Sequence, residues 1–424
     1  MPEPVLNSPA GYLTLLRNRQ FLALWIAQIL SQLVDKIVLI LLISIAVAGN
    51  VNDVNARESS IMIAMTLPAV FLGSIAGIFV DRHPKREVLI LCNLLRGACI
   101  FAIPFLPRSM MALLLITFII STLTNFFAPA EQSAISLIVP KSDLLPANAL
   151  FTITMVGSLI VGFAIGSPLL TWTMNIFPNA REYSREVLLG SLYVLSGLVL
   201  LVLPKDEIIE PKKEGVGIWK DLKDAFKYVH YNHLIGGAII QLTLLYGVLG
   251  TMQKLSLNLA ELVTNNRDDF GFFVASVGMG LAIGAFILGQ FGARFAHRPL
   301  PFVGFIGMAI GLFMFAFVSN LWVGLVVGTF IGVNGALIAI PMQTTVQEHT
   351  PDNMRGKVFG LLNNAENIAA SFPLALTAIA LDISTNSFGK QSGFQIVMII
   401  LSLIVLALGT WAWTRTKRAL QKVL

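Results

Sequence analysis

The sequence predicts an all-α integral membrane protein with twelve transmembrane helices in two six-helix bundles. Three observations predict it. Of 424 residues, 56% are hydrophobic and only 12% charged, half the charge of a typical soluble protein, which is about 25%. Apolar runs recur from Phe21 to Trp413, each near the roughly 20 residues that cross a hydrocarbon core of about 30 Å. Short polar breakers divide those runs at regular intervals, and a single long polar stretch lies near the middle of the chain.

Read in order, the runs give spans at 21–48, 60–80, 88–106, 110–139, 147–170 and 187–203, then 234–262, 270–292, 301–318, 321–348, 357–381 and 392–413. Arg17 and Arg19 directly precede the first span and argue for a cytoplasmic N-terminus. The chain's start lacks the basic segment, apolar run and cleavage site of a removable signal. With that orientation 20 of the 29 Lys and Arg residues fall on cytoplasmic segments. The outer loops hold Arg57, Arg108, Arg181, Arg185, Arg267 and Lys390, and only Lys36, Arg96 and Lys254 lie within spans. This bias puts both termini in the cytoplasm of a cell with a plasma (inner) membrane location. It also accounts for the net charge of +6 through contact with anionic membrane lipids, without nucleic acid.

Residues 1–203 form the expected N-terminal bundle, 204–233 a cytoplasmic linker, and 234–424 the C-terminal bundle with a basic tail. In the linker, Trp219, Leu222, Phe226 and Val229 share one helical face, while Lys220, Asp221, Asp224 and Lys227 lie mainly on the others. That pattern reads as an interfacial helix or as a solvated linker helix. The halves also match at a constant offset. Gln132 to Pro140 aligns with Gln343 to Pro351, and Gly73 with Gly284, both shifted by 211; Gln28 aligns with Gln241, shifted by 213. Six spans duplicated in the same orientation give parallel repeats, whose substrate sites lie near the midplane.

Several chemistries are excluded. Cys92 and Cys99 lie seven apart in one apolar run and read as small buried hydrophobes. His83, His230, His233, His297 and His349 are scattered, so no metal site is expected. There is no phosphate-cradling Gly-rich loop, no soluble segment large enough for an ATPase, and no acid, base or nucleophile set that would make an enzyme. A channel would need a filter-like ring, which is absent. No cofactor is expected, and the protein is expected to be a monomer.

Ionisable groups inside spans cost roughly 2.5 to 3.5 kcal/mol each at a helix centre and so mark function. Gln28, Ser31, Gln32, Asp35 and Lys36 occupy about 140° of span one at about 100° per residue, a face that must look into protein or a wet cavity. Asp35 is placed to bind a coupling proton or a cationic group of the substrate, or else to form an ion pair with Lys36, Arg96 or Lys254. In span eleven Asn363, Glu366 and Asn367 share a face, with Glu366 a second cavity carboxylate or a structural group. Arg96, at the middle of span three, would pair with Asp35 or Glu366 or hold an anionic head group. Lys254 has a similar but weaker claim, and Asn125 is a mid-span amide that lines the cavity. Glu131 and Glu348, toward the cytoplasmic ends of spans four and ten, read as gate or loop-latch residues. Other inward positions are apolar, which suits an amphipathic small molecule better than a sugar.

The segment Gly73-Ser-Ile-Ala-Gly77-Ile-Phe-Val-Asp81-Arg82-His-Pro-Lys85-Arg86 resembles the signature loop of the major facilitator superfamily, Gly-x-x-x-Asp-Arg-x-Gly-Arg-Arg, with Pro84 where the family usually has glycine. The resemblance covers the whole chain and implies the superfamily's fold and alternating access. It implies that Gly73 and Gly77 let spans two and eleven approach. It also implies that Asp81 faces the positive end of span eleven, at Arg355-Gly356-Lys357, so that the loop latches one side shut.

Asn93-Leu-Leu-Arg96, the run from Pro140 to Leu150 and the run from Pro351 to Gly360 resemble bacterial exporters of macrolides, siderophores and drugs. Asp35 and the run Asn363 to Asn367 resemble the superfamily's lysophospholipid transporters. The stretch Gly157 to Pro168 departs from the Gly-Pro-x-x-Gly-Gly motif of drug antiporters, since Phe163 follows Gly162 and the proline is displaced. The sequence therefore points to a secondary active transporter, proton-coupled efflux of an amphipathic small molecule being the leading reading and lysophospholipid movement between leaflets the alternative.

Overall fold

The computed structural model describes residues 12–47, 54–107, 109–176, 183–205, 218–265, 269–292 and 299–420. Among them the chain is helical, without strands. A short helix, α1 (Tyr12–Arg17), precedes α2 (Arg19–Val47), α3 (Val54–Asp81), α4 (Lys85–Ala102), α5 (Met110–Ile138), α6 (Leu144–Ile176) and α7 (Ser184–Val199). After α8 (Ile218–Tyr231) come α9 (His233–Thr264), α10 (Phe270–Phe291), α11 (Leu300–Phe315), α12 (Leu321–His349), α13 (Arg355–Phe388) and α14 (Lys390–Leu420). Spans one to six are α2 to α7, and spans seven to twelve are α9 to α14.

Polar side chains start several of these helices where hydropathy breaks off. Asn18 accepts the N–H groups of Gln20 (3.0 Å) and Phe21 (3.2 Å) at the head of α2. Ser109 caps α5, Asn232 caps α9 and Asn320 caps α12 in the same way. Each satisfies amides that the first helical turn leaves open. Several helices outrun their expected spans: α3 begins at Val54, α6 extends to Ile176, α13 to Phe388 and α14 to Leu420. Hydropathy marks only the part of a helix in hydrocarbon, whereas the backbone hydrogen bonds carry on into the interface. Among the described residues ten helices are long and apolar enough to cross a membrane. Helix α11 has 16 residues, a rise of about 24 Å, and α13 carries Asn363, Asn364, Glu366 and Asn367 near its middle.

Packing groups the helices. Within the first six, α2 packs on α6 and α7, α3 and α4 pack on α5, and α4 packs on α7. Within the second six, α9 packs on α13 and α14, α10 and α11 on α12, and α14 on α11 and α13. Two apolar clusters fill the first group and one fills the second. The groups meet along two seams, α3 on α13 and α6 on α10 and α12. The second seam has its own apolar cluster, in which Ala149 and Val156 of α6 join Leu281, Ala285 and Leu288 of α10 and Ala336 and Ile340 of α12. The first seam is closer. A Cβ at Gly77 would stand 2.8 Å from the Gly360 Cα, and one at Gly360 equally close to Gly77, so only glycine lets these backbones cross there.

Helix α8 forms within the expected linker. Phe226, on its apolar face, is 64% exposed, whereas Asp221, on another face, is buried together with Ala225. The side chain of Trp219 lies outside the described residues. Asp221 docks the helix by pairing with Arg82 of the α3–α4 turn (2.6 Å) and with Lys357 of α13 (2.7 Å). Helical periodicity registers apolar spacing and carries no trace of cations from distant segments, so the burial of Asp221 is not legible in the linker alone.

Two outcomes follow. Gly77→Val forces a branched side chain into the α3–α13 crossing and is expected to cost about 1–3 kcal/mol, read as a lower melting temperature of the detergent-solubilised protein; an unchanged melting curve would contradict the close crossing. Asp221→Asn leaves Lys357 buried without its counter-charge and is expected to cost about 3 kcal/mol. Adding Lys357→Met should recover most of that loss, and a double variant no more stable than the single would argue against the ion pair.

Candidate functional site

The resemblance-derived loop residues meet α13 directly. Asp81 ends α3 and is 8% exposed. Its Oδ1 accepts the Gly356 N–H at 2.5 Å and its Oδ2 the Lys357 N–H at 2.9 Å. The carboxylate thus sits on the first-turn amides of a 34-residue helix, where open N–H groups and the helix dipole both favour a negative charge. A Cβ at Gly356 would stand 2.6 Å from Asp81 Oδ1. Gly73 lies one turn further along the seam, where Asn364 forms a hydrogen bond with Ser74 Oγ (3.1 Å). Around the loop, Arg86 donates to the Leu201 carbonyl (2.9 Å), Lys85 is buried, and Arg355 pairs with Asp352 (2.8 Å).

The second seam is joined at the same end by groups that the sequence reading did not single out as a site. Asn148 of α6 donates to Thr344 Oγ1 (3.0 Å) and Gln347 Oε1 (2.6 Å) of α12, and Gln347 donates to Gln132 of α5 (2.9 Å). Tyr12 of α1 reaches over to α10, donating to the carbonyls of Ala285 (3.2 Å) and Phe286 (3.1 Å). Burial pushes its phenol up to about 12, so near neutral pH it remains a neutral donor. The signal in the sequence was present but unspecific: amides inside apolar runs need partners, and nothing in the run says which.

Toward the middle of the first group, α2, α4, α5 and α7 enclose a charged cluster. Arg96 is fully buried, with its Nη1 3.4 Å from Asp35 Oδ1 and its guanidinium over the rings of Phe127 (4.5 Å) and Tyr193 (5.3 Å). The Tyr193 hydroxyl donates to the same Asp35 oxygen. Of the partners considered for Arg96, the structure therefore selects Asp35. Glu131, expected as a gate residue, is buried within reach of the charges of Arg96 and Asp35, and its Oε1 has no hydrogen-bond partner. Gln28 is buried with an unpartnered Oε1, and Gln32 is half-buried.

The polar face of α13 lies against the first group and against α9. Asn363 donates to Asn125 Oδ1 (3.2 Å), linking α13 to α5, and Asn367 folds back onto Asn363. Glu366 is half-buried and forms no hydrogen bond to a described residue. Lys36 and Lys254 are half-buried and form no ion pair among the described residues. The expected site residues thus fall into three sets: the Asp81 end, a neutralised cluster around Arg96, and an unneutralised face on α13. Tyr193 is the partner that sequence reasoning missed, although a tyrosine in an aliphatic span implies a partner for its hydroxyl.

Comparison with known proteins agrees with this architecture. The model of the Major Facilitator Superfamily matches residues 24–374 and 255–422. The enterobactin exporter EntS of Salmonella typhi is 26% identical over 413 residues, covering 92% of each chain. An uncharacterised MFS-type transporter, YfiS, of Bacillus subtilis is 22% identical over 394 residues, covering 88% of each. Among solved structures, the human organic anion transporter TETRAN superposes with a TM-score of 0.72 at 13% identity, over 92% of this chain and 99% of its own. A signature loop seated on the head of span eleven, two groups of six spanning helices and a family match along nearly the whole length make this multi-pass membrane protein a transporter of the major facilitator superfamily.

Proposed function

We propose that the protein exports an amphipathic small molecule across a plasma membrane, driven by proton entry, as its two helix groups rock about a midplane site. The observation that carries this reading is the contrast between the two mid-membrane carboxylates. Asp35 is neutralised by Arg96 and Tyr193, whereas Glu366 has no hydrogen-bond donor among the described residues. A carboxylate so placed is costly unless it takes up a proton or a cationic ligand. Glu366 then carries the exchanged proton or cation, and Asp35 responds when Arg96 moves.

The direction of transport rests on two supports. Hydrogen bonds between the helix groups gather from the Asp81 end to the Asn125–Asn363 pair. With the orientation that the positive-inside bias supports, that end is cytoplasmic with both termini, and closure there is read as the outward-facing state. The relatives named enterobactin exporters support export. Lysophospholipid movement has no such support and serves as the comparison.

The test uses purified protein in liposomes, with a lipophilic cationic dye and a labelled lysophospholipid each followed with and without a pH gradient. Gradient-driven dye movement is expected. Glu366→Gln should slow it about tenfold or more, consistent with loss of a group worth about 1.4 kcal/mol or above, and should flatten its dependence on pH. Asp35→Asn should alter the pH dependence as well. Lipid movement indifferent to the gradient, or wild-type coupling in Glu366→Gln, would overturn the proposal.

A further inference from the structure

At the end of the first helix group opposite Asp81, a cavity of about 550 Å³ opens between the end of α2, the starts of α3, α5 and α7, and the end of α4. It lies about 10 Å along α4 from Arg96, at about 1.5 Å per residue, and none of the midplane residues lines it. Its floor is apolar, with Ile45, Ile103, Leu106 and Leu113. Its charged groups are Arg57, Arg185 and Glu186, beside Ser44 and Ser109, and Tyr183, which also lines it, stacks on Phe105 (6.2 Å).

Among the described residues each of the three charged groups keeps a hydrogen-bonding position unfilled, although Arg185 and Glu186 pair at 3.8 Å. Arg57 donates from Nη1 to the Ala46 carbonyl (3.0 Å), and its remaining donors have no partner among the described residues. Arg185 stands 3.8 Å from Glu186 Oε1, beyond hydrogen-bond reach, and its Nε is buried without an acceptor. Glu186 is 2% exposed, and its Oε2 is buried without a donor. A simple anion would serve the arginines at the expense of the Arg185–Glu186 contact and leave Glu186 Oε2 without a donor; a simple cation would leave the open arginine donors unfilled. A ligand with both charges close together serves all three.

We propose that this cavity binds a zwitterionic amphiphile: a phosphate meets Arg57 and Arg185, an ammonium a short link away meets Glu186, and an apolar chain lies on the floor. A membrane phospholipid and a soluble phospho-ammonium compound present the same chemistry. The site is separate from the midplane residues and stands whether or not the proton-coupled export reading holds.

The experiment measures binding of short-chain lysophosphatidylethanolamine, octyl phosphate and octylamine to the full-length detergent-solubilised protein by calorimetry. The zwitterion should bind about tenfold or more tighter than either single-charge probe. Arg57→Gln and Arg185→Gln should weaken binding of the zwitterion and of octyl phosphate, whereas Glu186→Gln should weaken the zwitterion alone. Arg57→Lys and Glu186→Asp, which keep the charges, should retain part of the affinity if a glutamine variant melts early. Competition by phosphatidylethanolamine in nanodiscs would mark the bilayer as the source, and competition by soluble glycerophosphoethanolamine alone would mark a soluble ligand; either supports the site. Equal affinity for the three probes, or Glu186→Gln binding the zwitterion as tightly as wild type, would overturn it.

Discussion

One carboxylate on one helix head organises the closed end of this transporter. Asp81 holds the Gly356 and Lys357 amides, and it can do so only because Gly77 and Gly360 let α3 and α13 cross at backbone distance. The first turn of α13 is then fixed twice, since Lys357 also gives its ammonium to Asp221. Two anions from different segments thus meet the positive end of a single helix, one through backbone amides and one through a side chain. The linker helix α8 is held by the same arrangement: Asp221 touches Arg82 from the first helix group and Lys357 from the second. Any motion that parts those groups at this end must separate Arg82 from Lys357, so α8 has to release one of them.

The two seams solve the same problem with different chemistry. The α3–α13 seam relies on glycine and on amide and carboxylate contacts, whereas the α6–α10–α12 seam has an apolar cluster at its centre with Asn148 and Gln347 beside it. The residues matched at an offset of 211 show the difference. Gly73 faces Asn364 across the groups, while Gly284 faces Ala336 and Val333 of α12 in its own group. Polar contacts are directional and break over a short distance, whereas apolar contacts are not directional and tolerate sliding. The pairing of a directional seam with a sliding one suits a rocking motion in which one crossing sets the closed register and the other serves as its bearing surface.

The span pattern was legible because a bilayer imposes a length on apolar runs, and ten of the described helices meet that criterion outright. The contact of Asp81 with α13 was legible only through a family motif, since no periodicity links residues 275 positions apart. Asp221, Asn148 and Tyr193 were not legible as site residues. Each acquires its role from a partner on another helix: Lys357, Gln347 and Asp35. Their own neighbours in sequence look like an ordinary amphipathic turn or an ordinary apolar run. Glu131 was read from its depth along α5, and depth does not record that the charge of Arg96 on α4 reaches it.

Electrostatic accounting separates what is structural in the membrane from what is poised to act. The interior of the first group carries Asp35 and Glu131 around the buried cation Arg96. Arg96 directs Nη1 toward Asp35 while its Nε and Nη2 remain without acceptors, and Glu131 Oε1 remains without a donor. Unpaired donors and an unpaired acceptor in the same apolar enclosure are costly, so this arrangement holds only while the packing of Phe127 and Tyr193 against the guanidinium fixes it. Because α5, which carries Glu131, also carries Asn125, the partner of Asn363 on α13, a shift of α13 at the midplane pulls on the helix that brings the second carboxylate to Arg96. The midplane amide pair is therefore a hydrogen-bonded connection between α13 and the helix that carries Glu131.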